Sequence, residues 1–257
     1  MLIDLHAHTS GISKCCRKNA PLVLEEAKRI GLNGIILTNH YQKSYVEDNN
    51  VKTFAEKYIK EFNYTKALGD KIGVEVLFGI EVTMELYPNV HMLLYGVDTD
   101  FVKRYPLIYD YTQKELYDTV KKNAGILIQA HPFRNGTTVL DTRFLDGIEI
   151  NCHPLYKKSY SKELIDIAVK EKLAVTCGGD YHADTYRPKC GMYLPDDIED
   201  GIALGKYISE SKSFNLCIQE PNEDEIKIVD VNIRRLRSKI EENPSDPTYI
   251  ETIWGTG

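Results

Sequence analysis

No stretch of this 257-residue chain approaches the roughly 18 consecutive apolar residues that a membrane helix needs. The opening Met1-Leu2-Ile3-Asp4-Leu5-His6 lacks the basic segment and apolar run of a secretory leader, which predicts a mature chain starting at Met1, cytoplasmic and with no membrane partner. No Cys-x-x-Cys pair occurs among the six cysteines (15, 16, 152, 177, 190 and 217), so reduced thiols are expected rather than disulfides. Cys15 and Cys16 are neighbours, a strained geometry for bridging, and read as loop thiols that could lie near a metal. Gly-x-Gly-x-x-Gly and Walker patterns are missing too, and Gly178-Gly179 reads as a point of close backbone approach. Positive charge is not in excess: 32 Lys and Arg against 38 Asp and Glu leave −6, which argues against nucleic acid as a partner. The one basic cluster, Arg234-Arg235-Leu236-Arg237, reads as a solvated helix face.

What is present is the composition of a globular protein, 42% hydrophobic and 27% charged, with a pattern of alternating elements. Short runs rich in Val, Ile and Leu predict strands at 2–6, 34–38, 74–82, 90–97, 125–130, 147–152, 173–177 and 214–218. Segments of helical period lie between them: from Asn19 and Pro21 to about 30, then 52–72, 112–123, 161–171 and 197–212. The order predicts an α/β fold of strands alternating with helices around a parallel or barrel sheet. Residues 1–220 are expected to form one domain, with 221–257 a polar C-terminal tail packed on or extending from it.

The seven histidines are average in number but not in placement. His6 and His8 stand two apart near a strand end, where side chains at i and i+2 share a face and can converge on one ion. His40, His91, His131, His153 and His182 each adjoin an apolar run, so that six of the seven histidines are expected where a strand ends; Asp180 and His182 repeat the i, i+2 spacing, and Glu81 ends the run Val76 to Ile80. In a β/α barrel the C-terminal ends of the strands form one face, so these side chains would meet there. A lone histidine of this kind is more often a hydrogen-bonded core residue; a set that tracks strand boundaries points to metal ligation.

Asp4-Leu5-His6-Ala7-His8-Thr9, Leu37-Thr38-Asn39-His40, Gly79-Ile80-Glu81, Ala130-His131-Pro132 and Gly178-Gly179-Asp180-Tyr181-His182 together resemble the five motifs of the PHP (polymerase and histidinol phosphatase) family of metal-dependent phosphoesterases. The resemblance implies a distorted seven-stranded TIM-like barrel and two or three divalent ions. It implies a first ion on His6, His8, Glu81 and Asp180, a second on a shared Glu81 with His91 and His131, and a third on His40 and His182. Two departures stand out. Asn39 replaces the family's usual Asp, and the loop Gly11-Ile12-Ser13-Lys14-Cys15-Cys16 has no histidine where many trinuclear members carry one, so the third site lacks that donor unless a Cys15 or Cys16 thiolate substitutes.

Imidazole and carboxylate donors suit zinc, manganese or iron alike. Ions sharing a carboxylate would activate a hydroxide and clamp the oxygens of an in-line displacement at phosphorus, so Glu81 and Asp180 are expected to be catalytic. Arg134 follows Ala130-His131-Pro132-Phe133 and can offer a bidentate fork to phosphate; Arg17, Arg187 and His153 are further candidates for substrate contact. Tyr105, Tyr109 and Tyr111 could line a pocket, although half-buried surface packing is the commoner fate of tyrosine. The expected activity is hydrolysis of a small phosphate ester such as histidinol phosphate or a nucleotide. Alternatives are a protein-tyrosine phosphatase, an amidohydrolase-like C–N hydrolase and a non-catalytic metal-binding module. The substrate, native metal and oligomeric state are not legible in the sequence.

Overall fold

The computed structural model describes residues 1–153, 156, 159–182, 189–211, 214–218 and 227–230. Strand β1 (Leu2–Ala7) is buried throughout and is followed by α1 (Ala20–Arg29). Asn19 opens that helix by accepting the Leu22 N–H, Pro21 occupies the first turn where a missing N–H costs nothing, and Lys28 and Arg29 complement the negative end of the dipole. Val23, Leu24 and Ala27 turn inward. After β2 (Gly34–Leu37) come the two-residue β3 (His40–Tyr41) and α2 (Val51–Ile72), which Asn50 caps at the Thr53 N–H.

The single strand expected over 74–82 divides at Gly79 into β4 (Glu75–Phe78) and β5 (Ile80–Thr83). A β-carbon at Gly79 would lie 2.7 Å from Ile36 Cγ2 and 2.8 Å from Thr38 Cγ2, so the chain turns this corner only without a side chain. Next are β6 (His91–Tyr95), the single turn α3 (Phe101–Arg104) and α4 (Gln113–Lys122), which a Thr112/Glu115 capping box opens. They lead to β7 (Ile126–Gln129), β8 (Gly147–Asn151), α5 (Ser159–Glu171) and β9 (Ala174–Gly178). The order closes with β10 (Gly191–Tyr193), α6 (Gly201–Glu210, capped by Asp200), β11 (Asn215–Ile218) and β12 (Lys227–Asp230).

This is a mixed α/β fold with two six-stranded sheets, ordered β12-β11-β10-β1-β2-β4 and β3-β5-β6-β7-β8-β9. The parallel sheet expected from the element order is interrupted: β5, β6 and β7 pair antiparallel, as do β1, β10, β11 and β12. The sheets meet along two seams. On one side the chain passes from β2 to β3 and from β4 to β5; on the other, Ala7 of β1 bridges in parallel to Tyr181 just beyond β9. Ile3, Leu5, Ile35, Leu77, Leu93, Leu127 and Ile148 are buried in the core.

The antiparallel run changes the reading of His91. It begins its strand, and because β6 opposes β5 with Thr83 facing His91, that beginning lies at the same rim as the end of β5. His40 likewise begins β3, opposite Glu81. The tyrosine trio is divided: Tyr109 is buried and stacks on Tyr41 at 5.9 Å, and Tyr105 packs on Phe101 at 4.9 Å. Beyond the expected boundary at 220 only β12 is described, and it extends the first sheet by pairing with β11. Arg187 and Arg234 to Arg237 lie outside the described residues. No helix among the described residues is long and apolar enough to cross a membrane.

Candidate metal centre

Glu81 is the centre of the arrangement. Its fully buried carboxylate has five imidazoles within 3.4 Å: Oε1 lies 2.8 Å from His91 Nδ1, 3.2 Å from His131 Nε2 and 3.3 Å from His6 Nε2, and Oε2 lies 2.7 Å from His40 Nδ1 and 3.4 Å from His8 Nε2. Asp180 closes the other side, with Oδ1 3.2 Å from His8 Nε2, 3.4 Å from His6 Nε2 and 3.3 Å from His182 Nδ1. Donor atoms within 4.8 Å of one another fall into three overlapping groups: His6, His8, Glu81 and Asp180; His40, Glu81 and His91; and His8, His40 and His182. The expected ligands are therefore brought together, with His40 lying closer to the Glu81–His91 pair than the sequence suggested.

Three of the buried atoms, His6 Nε2, His40 Nδ1 and Glu81 Oε2, have no hydrogen-bond partner, although His40 Nδ1 and Glu81 Oε2 are only 2.7 Å apart. Buried imidazole nitrogens and a carboxylate oxygen left without a hydrogen-bond partner among the described residues call for compensation from another group. That donor chemistry fits divalent cations.

The surrounding residues fix which nitrogen of each ring faces inward. Ser13 Oγ donates to Asn39 Oδ1 (2.8 Å), so it accepts from His8 Nδ1 (3.2 Å) and from the His40 N–H (3.0 Å), leaving His8 Nε2 toward the centre. His6 Nδ1 donates to Glu149 Oε1 (2.8 Å), and the second oxygen of Glu149 accepts the His131 N–H (2.9 Å) and Asn151 Nδ2 (3.0 Å). Asp4 Oδ1 accepts the N–H groups of His6 and Gly179, tying β1 to the segment that carries Asp180. His131 and Asp180 have φ of 29° and 49°, strained values that persist because these contacts over-determine them.

Electrostatics follow from burial and crowding. Burial alone would push Glu81 up, but His40, His6 and His91, with a hydrogen bond from His131, hold its carboxyl well below the usual range. Asp180 is held down in the same way by His6, His182 and His8 against its own burial. Burial opposes charging of His6, His40 and His182, yet Glu149, Glu81 and Asp180 raise His6 well above its ordinary value, Glu81 and Cys15 raise His40 to about 10, and Asp180 raises His182. Burial and the charge of His182 keep His8 low, and burial keeps His91 low. The rings raised in this way, His6, His40 and His182, are those whose charge the buried carboxylates favour most.

Solved structures with the same course of chain include a protein assigned as a metal-dependent phosphoesterase from Bifidobacterium adolescentis, at TM-score 0.50 and 17% identity over 80% of this chain and 94% of that one. PsfC from Pseudomonas syringae matches at TM-score 0.56 and 20% identity, over 81% and 87% of the two chains. An amidohydrolase from Chromobacterium violaceum with bound sulfate matches at 0.53 and 14%, over 76% and 93%. At 14–20% identity these likenesses are of fold.

The C-terminal residues match something different. The family model described as transcriptional regulatory protein, C terminal, matches residues 203–257. The transcriptional regulatory protein YcbL of Bacillus subtilis is 40% identical over 52 residues, 20% of this chain and 23% of that protein. The transcriptional regulator ycf27 of Cyanidium caldarium is 46% identical over 56 residues, 22% of each. The chain thus spans under a quarter of the length of these curated relatives. The first part of the matched stretch belongs to the body of the fold: Leu204, Ile208, Leu216 and Cys217 are buried.

Of the other expected site residues, Arg134 contacts Asp180 Oδ2 through Nη1 at the edge of the cluster. Buried His153 has its ring 6.2 Å from that of His182. Arg17 is exposed, and its backbone N–H donates to the His182 carbonyl (3.2 Å). The adjacent thiols diverge: Cys16 turns inward to the carbonyls of His8 and Lys18 (3.5 Å each), while Cys15 is exposed with its Sγ 3.9 Å from the Tyr45 hydroxyl, and nearby His182 and His40 lower its thiol to about 6 against partial burial.

Sequence reasoning missed Glu149, Asp4 and Ser13. Glu149 carried a signal, a carboxylate inside the apolar run Ile148-Glu149-Ile150, where burial demands a partner. Gly178 is fixed by this centre too, since a β-carbon there would lie 2.3 Å from His6 Cβ and 2.7 Å from Glu149 Oε1.

Proposed function

We propose that the chain is a metal-dependent phosphoesterase, its two sheets forming a distorted seven-stranded barrel of the PHP kind, and that it hydrolyses a small phosphate ester such as histidinol phosphate or a nucleotide. The observation that carries the reading is the buried Glu81 carboxylate ringed by five imidazoles, with Oε2, His6 Nε2 and His40 Nδ1 unpartnered. Divalent zinc, manganese or iron on these donors would supply an activated water and Lewis-acid stabilisation of the phosphoryl oxygens. The residues of the chain do the rest. Glu81 lies between the two sides and keeps them adjacent, with Oε1 near His6, His91 and His131 and Oε2 near His8 and His40. His6, His8 and Asp180 hold one side, and His91 and His131 the other. Glu149 and Ser13 retain the Nδ1 protons of His6 and His8, so that neither ring turns its donor N–H toward the ions. Arg134, partly exposed beside Asp180, offers its remaining N–H groups to a phosphate oxygen. A glutamate in the shared position, where an amidohydrolase-like site would use a lysine, favours phosphorus over C–N chemistry.

Reloading the purified chain with each metal and assaying p-nitrophenyl phosphate, histidinol phosphate, nucleotides, a phosphotyrosine peptide and a cyclic amide tests this. At least two ions per chain and phosphate release from a small ester are expected; fewer than two ions, or turnover of the amide alone, would overturn it. Arg134→Ala is expected to lower kcat/KM by about 10–100-fold, the loss of a charged hydrogen bond of roughly 1.5–3 kcal/mol, with ion content unchanged.

A second reading concerns the C-terminal segment alone and is favoured by the match over residues 203–257. It makes Arg234, Arg235 and Arg237 contacts to nucleic-acid phosphates, against the expectation from net charge. Full chain and a triple alanine variant at these positions would be compared on duplex DNA at two salt concentrations. Salt-sensitive binding lost in the variant supports the reading, and equal binding by both sinks it.

A further inference from the structure

We propose that Cys152, Cys177 and Cys190 form a second metal site, a buried thiolate site for a soft cation of the zinc kind, which staples the two sheets together along the seam beside Asp180. It shares no donor with the imidazole and carboxylate centre and stands whether or not that centre carries catalysis.

The three sulfurs come from separate segments. Cys177 lies in β9, Cys152 follows β8 and Cys190 precedes β10, yet their Sγ atoms are within 4.8 Å of one another and all three residues are buried. β8 and β9 belong to one sheet and β10 to the other, so the trio spans the seam that Ala7 and Tyr181 bridge. Backbone pairing fixes each position. Cys177 is in register with Ile150, the Cys152 N–H donates to the Gly178 carbonyl (2.9 Å), and Gly191, next to Cys190, is in register with Cys217. Cys190 Sγ also presses on Gly179, where a β-carbon would lie 3.3 Å from it, so the trio packs against the residue before Asp180.

The spacing suits one ion. Bonds of about 2.3 Å to a tetrahedral zinc place two sulfur ligands about 3.8 Å apart. Cys152 Sγ and Cys177 Sγ are 3.6 Å apart, and the other two separations, both within 4.8 Å, need to close by no more than about 1 Å. The Cys217 carbonyl lies 3.5 Å from Cys177 Sγ, against about 3.6 Å for a sulfur and an oxygen on one such ion, and can complete the four. The hydrogen bond that Cys152 and Cys177 share lowers Cys177 to about 6 and raises Cys152, so one thiolate is at hand near neutral pH.

Among the described residues no carboxylate or imidazole joins this group, and sulfur ligands select zinc or copper(I) over manganese or magnesium. Charge separates the first two. Three thiolates leave one net negative charge in the buried site on a divalent ion and two on a monovalent one, which costs more. Each S–metal bond replaces a thiol proton, which passes to solvent.

Cobalt(II) is the probe, because thiolate ligands give it a near-ultraviolet charge-transfer band that imidazole and carboxylate ligands do not. Metal-free full chain, reduced so that all six thiols titrate in denaturant, is expected to show the band when cobalt is added. Excess zinc should abolish it and excess magnesium should not. Cys190→Ala and Cys152→Ala should each weaken or abolish the band, and Cys15→Ser should keep it. No band in the unaltered chain, a band unchanged in both alanine variants, or one lost in Cys15→Ser would overturn the site. The visible absorption of cobalt on the imidazole centre is read in the same spectra, so either reading can fail without the other. A Cys152–Cys177 disulfide in the peptide map of chain purified without reductant would overturn the thiolate site as well.

Discussion

Glu81→Gln is expected to lower kcat/KM for phosphate-ester hydrolysis by about 10³-fold, with a parallel fall in ions bound per chain. Glutamine keeps the shape and one oxygen, but it replaces a charged oxygen by an N–H donor where His40 Nδ1 or His91 Nδ1 now lies within 2.8 Å. The variant loses the negative charge that holds the two halves of the centre together. A contribution of roughly 4 kcal/mol to transition-state stabilisation, each 1.36 kcal/mol being tenfold, gives that magnitude. Glu149→Gln serves as the graded comparison, since Glu149 only orients His6 and the His131 backbone; its loss is expected to be about 10–100-fold. Steady-state kinetics with metal analysis on both variants checks the order. If Glu81→Gln retained activity within tenfold of the parent, Glu81 would not be the shared ligand.

The gap between these two glutamates shows what could be read without coordinates. Glu81 was visible because it ends an apolar run and sits in a motif; Glu149 lies in the middle of β8, and only the fold brings it under His6, far away in sequence. Histidine positions were legible because a strand boundary leaves a period in the sequence, and Asn19, Thr112 and Pro21 marked helix starts by local chemistry. Strand direction was not. Nothing in Val90 to Val97 states that β6 runs antiparallel to β5, yet that direction is what carries His91 to the rim. The corner at Gly79 was equally hidden, because the run from Val74 to Val82 reads as one strand and its division depends on Ile36 and Thr38 pressing from another element. Elements of two to four residues, such as β3, β10 and α3, are too short to display any period. The two thiols at 15 and 16 were indistinguishable as letters; the hydrogen bonds of the loop sent one inward and left the other exposed.

Chelation is expected to lower the melting temperature by about 8–16 °C, and by more as the pH rises. An ion at about 1,000 times its Kd that binds only the folded chain contributes about 4.1 kcal/mol, and a domain of this size shifts by roughly 2–4 °C per kcal/mol. The pH dependence comes from the protons that stand in for ions. Burial opposes it, but Glu81 raises His40 to about 10 from an ordinary 6.5, and His6 and His182 are raised as well. Between about 6.5 and 10 the folded, metal-free chain therefore holds protons that the unfolded chain has released, so its stability falls as pH rises through that window. Cys15, lowered from 9 to about 6, has already lost a proton that the unfolded chain keeps, and offsets part of this slope. His8 and His91 have the opposite sign, since they are lowered and their contribution is lost as pH falls below about 6.5. Glu81 and Asp180 add to the acid side, where their contribution disappears as pH falls through their depressed values. The metal-free protein should be most stable near pH 6.5. Ions require unprotonated imidazoles, so their apparent affinity rises over the same range in which the metal-free fold weakens. The difference in melting temperature between loaded and chelated protein should then be larger at pH 8.5 than at pH 6.5. A difference that stays constant would show that His6, His40 and His182 are neutral in the metal-free fold, and no difference at either pH would show that the cluster binds no ion.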